Sequence, residues 1–426
     1  MKPADTGPAT GRTRETLGLY AAFGCLGYLL TALGAILPQL REERGLPRAE
    51  AALYPSAFAL GLVIVGLVGH RLAARLGRYA IPAALTALVG GAALLAASGG
   101  RLGTAAGALV LGLGGAGLVQ LVPAALRAAH PGDGTIQIGE ANAVSSAASV
   151  LSPILIGAAL AHGLGWRPAF AAPPLLAAAT LLLLTRPPHP TPTTQPLISP
   201  TGPTLDAIPT GADRGGPVPA GLAGAGPVGG ERRGRGDFGA GGGGVGFWGR
   251  WGDLVLAVGV EFCMVFWAAD FLGSVKGLGA GGAATLSAGF VLGMAVGRAA
   301  AGPVVRRGGR PDRLLALAAA VGIGGFAVLW ASPAPVAVAG LVVTGLGVAL
   351  LYPVILGQAL AARPSEPVRA AARCALASGV AIGVAPLVLG ALADLTTLRA
   401  AVLVAPVLLV VLLVRCGRRL RTGSAS

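Results

Sequence analysis

Charge is scarce in this chain. Asp, Glu, Lys and Arg supply 12% of its 426 residues, too few to coat a soluble protein of that length, so the expected solvent is lipid. Aromatic residues are sparse as well, at 5%, which leaves small and aliphatic side chains suited to close helix packing in a bilayer. The apolar stretches lack the period-two alternation of a membrane β-barrel, so they read as helices. Only four cysteines occur, Cys25, Cys263, Cys374 and Cys416, each alone. They offer neither a disulfide framework nor metal spacing. The histidines His70, His130, His162 and His189 are equally scattered, against a metal cluster. No GxxxxGK[ST] loop is present, so ATP is not the expected drive and no cofactor is expected. No nucleophile, base and metal converge in an apolar stretch, which argues against an enzyme.

What the chain does have is apolar runs, each near the roughly 20 residues a bilayer requires. They predict spans over 17–40, 51–70, 79–98, 103–127, 138–162 and 168–185, then 252–273, 282–305, 313–331, 334–361, 371–393 and 398–415. The fold class is therefore all-α and membrane-embedded, with twelve transmembrane helices in two six-helix bundles, 1–186 and 250–426. Between them, 187–249 is rich in Pro and Gly and reads as a disordered cytoplasmic linker. The first span begins near Leu17 with no clear small-residue cleavage site, and is expected to be retained rather than cleaved as a signal peptide.

The net charge of +15 would suggest nucleic acid in a soluble protein, but its placement argues otherwise. With the amino terminus inside, the clusters at Arg71, Arg75 and Arg78, at Arg306, Arg307, Arg310 and Arg313, and at Arg415, Arg418, Arg419 and Arg421 all fall on one side. The opposite loops hold seven of the 32 basic residues: Arg41, Arg44, Arg48, Arg101, Arg167, Lys276 and Arg399. The positive-inside rule then places both termini in the cytoplasm of a multi-pass plasma-membrane protein. Lipid, a small-molecule solute and protons are the expected partners, nucleic acid is not, and a monomer is expected.

The halves repeat. Gly77-Arg78 matches Gly309-Arg310, Gly117 to Pro123 matches Gly347 to Pro353, and Ser152 to Gly157 matches Ala385 to Gly390, at offsets of 232, 230 and 233 residues. Six-helix parallel repeats are an architecture of transporters with a midplane site. The loop Gly69-His70-Arg71-Leu72-Ala73-Ala74-Arg75-Leu76-Gly77-Arg78, and its echo from Gly297-Arg298 through Arg307, Gly309 and Arg310, resemble the inner-gate signature of the major facilitator superfamily. Ala74 and Arg306 stand where that signature carries acids. Trp166-Arg167 and the prolines Pro153 and Pro386 are also similar to the family. Gly259-Val260-Glu261 through Trp267 resembles a signature of its fucose-permease-like proton symporters, though the acids that branch carries in helices 1 and 4 are missing here. The resemblance implies alternating access between two bundles, with Arg71, Arg75, Gly77, Arg78, Arg307, Gly309 and Arg310 at the inner gate.

Glu261 is the leading site candidate. It lies about 13 Å into the seventh span at about 1.5 Å per residue, where a carboxylate must be protonated, paired or wet. Arg298 enters the eighth span from the same side to a comparable depth, as an ion-pair partner or as a motif residue that snorkels. Asp270, nine residues beyond Glu261, projects from the opposite side of the helix and reads as an outer-gate acid or an interfacial partner of Lys276. Gln120, Tyr352 and Gln358 could bind a polar solute or serve as interhelical glue, and Trp267 falls within the symporter-like stretch. The polar face of the fifth span, Asn142, Ser145, Ser146 and Ser149, reads as packing. The function expected is secondary transport of a small polar or amphipathic solute coupled to protons. The alternatives are proton-antiport export of drugs or metabolites, and a non-transporting sensor or scaffold.

Overall fold

A computed structural model describes residues 13–130, 134–184, 243–300 and 310–422. The chain falls into two compact units, residues 1–185 with 242–426, and residues 186–241. The second unit, most of the expected linker, lies outside the described residues, as do Arg307 and Gly309.

The first half contributes α1 (Arg14–Arg44), α2 (Arg48–Leu76), α3 (Ala80–Ala97), α4 (Arg101–Ala129), α5 (Gly134–Ala161) and α6 (Arg167–Leu184). The second contributes α7 (Gly243–Asp270), α8 (Ala280–Ala299), α9 (Pro311–Ala331), α10 (Ala334–Ala361), α11 (Pro367–Leu395) and α12 (Leu398–Arg421). Eleven of these helices are long and apolar enough to cross a membrane. Among the described residues the fold is all-α, twelve helices in two pseudo-symmetric groups of six. We call the end where α1 starts and α12 finishes the terminal end, and the opposite one the distal end.

Local chemistry explains the helix limits. The Thr13 hydroxyl accepts from the Thr16 amide at 3.2 Å to open α1, and Gly45, at φ 59°, closes it. Turn residues divide α10 at Ala349 and Leu350, and α12 at Val402 and Leu403. Pro353 and Pro406 follow four residues behind Ala349 and Val402, and a proline ring excludes the carbonyl four residues before it. Helix α7 starts at Gly243, inside the stretch expected to be linker. Aromatic packing extends it: Phe247 is buried, its ring 5.5 Å from Trp248, which lies 5.9 Å from Trp251.

The repeat is visible in the packing. A Cβ on Gly112 of α4 would collide with the Phe58 carbonyl of α2, and one on Gly345 of α10 with the Phe290 carbonyl of α8. The same backbone approach thus recurs at an offset near that of the sequence repeat. Small residues make it possible without any hydrophobic drive between helices in lipid.

The two halves meet along three seams. Helix α1 meets α7, where a Cβ on Gly34 would strike the Val265 carbonyl. Helix α5 meets α8, where Gly157 faces Thr285 and Gly281. Along the third seam α2 meets α11, the Ser56 hydroxyl donating to the Gly383 carbonyl at 2.7 Å. These contacts lie in the distal part of each helix. Toward the terminal end the third seam opens, from Val63 packed on Gly379 to Gly66, where an added Cβ would meet nothing within 4 Å.

Candidate functional site

Between the halves, on the terminal side of those seams, lies a cavity of about 280 Å³. Helix α7 brings Glu261 to it and α8 brings Arg298, and Arg298 Nη2 donates to Glu261 Oε1 at 3.2 Å. The two helices enter the bundle from the same end with opposite chain direction, so residues far apart in sequence reach one depth. Glu261 is 16% exposed and Arg298 43%, and the contact between them runs through Nη2 of the guanidinium. Tyr352 and Ser378 complete the polar wall, from α10 and α11. All four come from the second half. The facing wall is apolar, with Leu26, Leu30, Phe58, Leu62 and Val119, and Gln120 is its polar member.

Asp270 sits elsewhere. It is nine residues further along α7, about 14 Å at roughly 1.5 Å per residue, and only 4% of its side chain is exposed. Arg48 of α2 donates through Nε to its Oδ2 at 2.9 Å, and Arg41 Nη2 stands 3.7 Å from its Oδ1. Beside it, Asp394 of α11 accepts from the backbone amides of Arg48 and Ala49 at 2.9 and 2.7 Å. These contacts tie the halves together at the distal end. Lys276, named in the sequence as an interfacial partner of Asp270, instead donates to the Trp330 and Ser332 carbonyls at 3.0 and 2.7 Å. Burial, then the nearby Arg399, lowers its pKa from the ordinary lysine value.

The other sequence candidates divide. Gln120 and Tyr352 share the cavity with Glu261 and Arg298. Trp267 does not: it is buried between α7 and α11 and donates to the Pro386 carbonyl at 3.1 Å. Gln358 is outside the cavity lining, its Oε1 buried and without a hydrogen-bond partner. Ser149 packs as expected for the polar face of α5, donating to the Gly27 carbonyl at 2.9 Å. At the terminal end Gly77 turns the chain after α2 at φ 51°. Arg78 there covers the Tyr79 ring at 4.8 Å, and Arg71, Arg75 and Arg310 are exposed.

Sequence reasoning passed over three groups. The apolar residues opposite Glu261 carry no mark that separates them from packing residues. Arg48 was legible only as a loop-side charge, and Asp394, 346 residues away, carried no mark. A third group, within the second half, joins α7, α9 and α12: buried Asp253 pairs with Arg415 and Arg419 at 2.6 Å each, and Arg250 clamps Asp312 at 2.7 and 2.9 Å. Two acids at the starts of the expected spans 252–273 and 313–331, on the arginine-rich side, were the available signal.

The profile of the Major Facilitator Superfamily matches residues 19–366. Among solved structures, a bacterial homolog of the human lysosomal transporter Spinster, in an inward-facing and occupied conformation, is similar with TM-score 0.69, 14% identity and 98% of each chain covered. The nucleoside transporter NupG is similar with TM-score 0.66 and 13% identity, over 95% of this chain and 98% of its own. FucP in its outward conformation is similar with TM-score 0.56 and 14% identity, over the same shares. No curated protein matches the sequence.

Proposed function

The chain belongs to the major facilitator superfamily, and from that footing we propose that it is a secondary active transporter working by alternating access. It carries a small polar or amphipathic solute across the plasma membrane with protons, both termini being cytoplasmic. The observation that carries this reading is the Glu261 and Arg298 pair in a cavity lined by both halves.

The distribution of arginines supports a cytoplasmic terminal end. On that assignment the cavity faces inward, and the distal seams with their Asp270 and Asp394 contacts form the closed outer gate. Rocking of the halves about the cavity would break those contacts and close the gap between α2 and α11. Glu261 is the proton site: a carboxylate at membrane depth with a cationic partner can be discharged by a proton from the open side and recharged on the other. The polar groups that share its cavity are Arg298 of α8, Tyr352 of α10, Ser378 of α11 and, on the facing wall, Gln120 of α4. Helices α1 and α2 present only apolar side chains to this cavity apart from glycine.

In proteoliposomes, Glu261→Gln should abolish accumulation driven by a pH gradient while leaving the protein folded and able to exchange solute down its gradient. Undiminished pH-driven uptake by the variant overturns the assignment.

A further inference from the structure

We infer that the solute is an amphipathic monoanion, whose charged head replaces Glu261 on Arg298 and whose alkyl body lies on the apolar wall of the first half. This deepens the transporter reading and rests on it.

Three observations converge. The first is the division of the cavity. Its two charged groups come from the second half and so do Tyr352 and Ser378, whereas α1 and α2 offer Leu26, Leu30, Phe58 and Leu62. A solute polar all round, such as a sugar, would leave hydroxyls against that wall without partners, at the cost of their desolvation. A solute with one polar end and one apolar end satisfies both walls.

The second is a side cleft of about 140 Å³ between α2 and α11, which shares Leu62, Gly66 and Ala375 with the cavity. It adds Val63, Leu67 and Leu376, and Arg373 stands at its edge. Leu67, in the lining of that cleft, is 62% exposed. The cavity therefore continues sideways as an apolar slot with a cation at its rim, which suits a chain longer than the central cavity holds.

The third is charge balance. The empty cavity contains one carboxylate and one guanidinium in contact, a net charge of zero. Take a proton onto Glu261 and an anion onto Arg298, and the loaded cavity again sums to zero. A neutral solute bound with a proton would leave +1 in the cavity, and a cation bound without one would do the same. An uncompensated charge enclosed at membrane depth adds to the cost of the loaded state. The bidentate edge of Arg298, engaged by Glu261 through a single nitrogen, is shaped for a carboxylate, sulfonate or phosphate oxygen pair. The proton comes from the solvent at the open end and leaves Glu261 when the anion is released.

The probe is decanesulfonate, which stays ionised at all working pH values. Comparison probes are butanesulfonate, decyltrimethylammonium and decyl maltoside, all with purified full-length protein in lipid nanodiscs. Decanesulfonate should bind at least tenfold more tightly than the cation or the neutral maltoside, and more tightly at pH 5.5 than at pH 8. Glu261→Gln should bind it at least as tightly as wild type at pH 5.5 and lose the pH dependence, because the competing carboxylate is gone. Arg298→Gln should bind at least tenfold more weakly. Arg298→Lys, which keeps the charge without the fork, should fall between and guards against misfolding of the first variant. Gly66→Leu, which projects into the open slot, should erase the preference for the decyl over the butyl chain.

In proteoliposomes, proton-driven decanesulfonate uptake should be unchanged by a clamped membrane potential, whereas a step moving one net charge would shift accumulation about 50-fold per 100 mV. Equal binding of the cation or the maltoside, undiminished binding by both Arg298 variants, or potential-driven uptake overturns the inference. If a neutral solute instead binds and accumulates in a Glu261-dependent way, the substrate class fails and the transporter reading stands. If decanesulfonate binds as described but never crosses, the transporter reading fails and the site chemistry stands.

Discussion

Asp394 caps a helix belonging to the other half of the molecule, accepting hydrogen bonds at 2.9 and 2.7 Å from the amides of Arg48 and its neighbour Ala49. Pro47 precedes α2 and supplies no side-chain cap of its own, so two orphan donors at the start of that helix are satisfied across the interface. On the rocking motion proposed above, the bond exists only while the distal end is closed. Its contribution therefore goes to one conformation rather than to the fold.

Asp394→Ala should shift the conformational balance and leave overall stability nearly intact. A lost helix cap is worth about 0.5 to 2 kcal/mol, which converts to about a 2- to 30-fold rise in the distal-open population. Labelling of Ser56→Cys by an impermeant thiol reagent applied from the distal side, in a background with the four native cysteines replaced, measures that rise. An unchanged labelling rate contradicts the gating role.

Asp270→Asn removes the charge that Arg48 and Arg41 share. A hydrogen bond to a charged group contributes about 1.5 to 3 kcal/mol, so the same labelling assay should show a larger effect, about 10- to 150-fold. Combining it with Asp394→Ala should give less than the product of the two, because both act on Arg48 and its helix start.

Gly34→Ala tests the α1 and α7 seam. Its Cβ would strike the Val265 carbonyl, and overpacking of this kind typically costs about 1 to 3 kcal/mol. Distal closure is what the methyl group opposes, so transport should slow by about an order of magnitude while the thermal midpoint in detergent moves little. A large drop in midpoint would mean that the glycine serves the fold in both conformations.

Asp253→Asn should act on stability instead. This carboxylate is fully buried and meets Arg415 and Arg419 at 2.6 Å each. Breaking a buried ion pair costs about 3 to 5 kcal/mol, and the lower end applies because Arg415 is 38% exposed. Nanodisc melting should register it clearly. Glu261→Gln, whose partner Arg298 is 43% exposed, should shift the melt far less, since exposed pairs are worth about 0 to 1 kcal/mol.

Much of this was legible in the primary structure. Apolar run length and arginine placement predicted the helices, and repeat offsets predicted the pseudo-symmetry seen where Gly112 and Gly345 press on Phe58 and Phe290. Counting rise per residue from one membrane face gave Glu261 and Arg298 a comparable depth, but left open whether Arg298 pairs with Glu261 or snorkels; the contact at 3.2 Å is the structure's. The Asp394 cap did not follow, because it joins elements 346 positions apart whose register depends on how the halves close. Trp267 illustrates a different failure: family likeness put it on the pathway, yet its indole is committed to the Pro386 carbonyl. Short signatures mark neighbourhoods, not the direction of a side chain.

The division of α10 at Ala349 and Leu350 is separated from Tyr352 by Leu351 alone. The backbone bond that a straight helix would have to sacrifice in order to flex there is one that Pro353 already forbids. Tyr352 therefore rides on the short arm of a lever whose fulcrum is pre-cut, and a few degrees of bend would swing its phenol toward or away from the charged pair. The chamber's shape can change through one side chain before either six-helix block has turned.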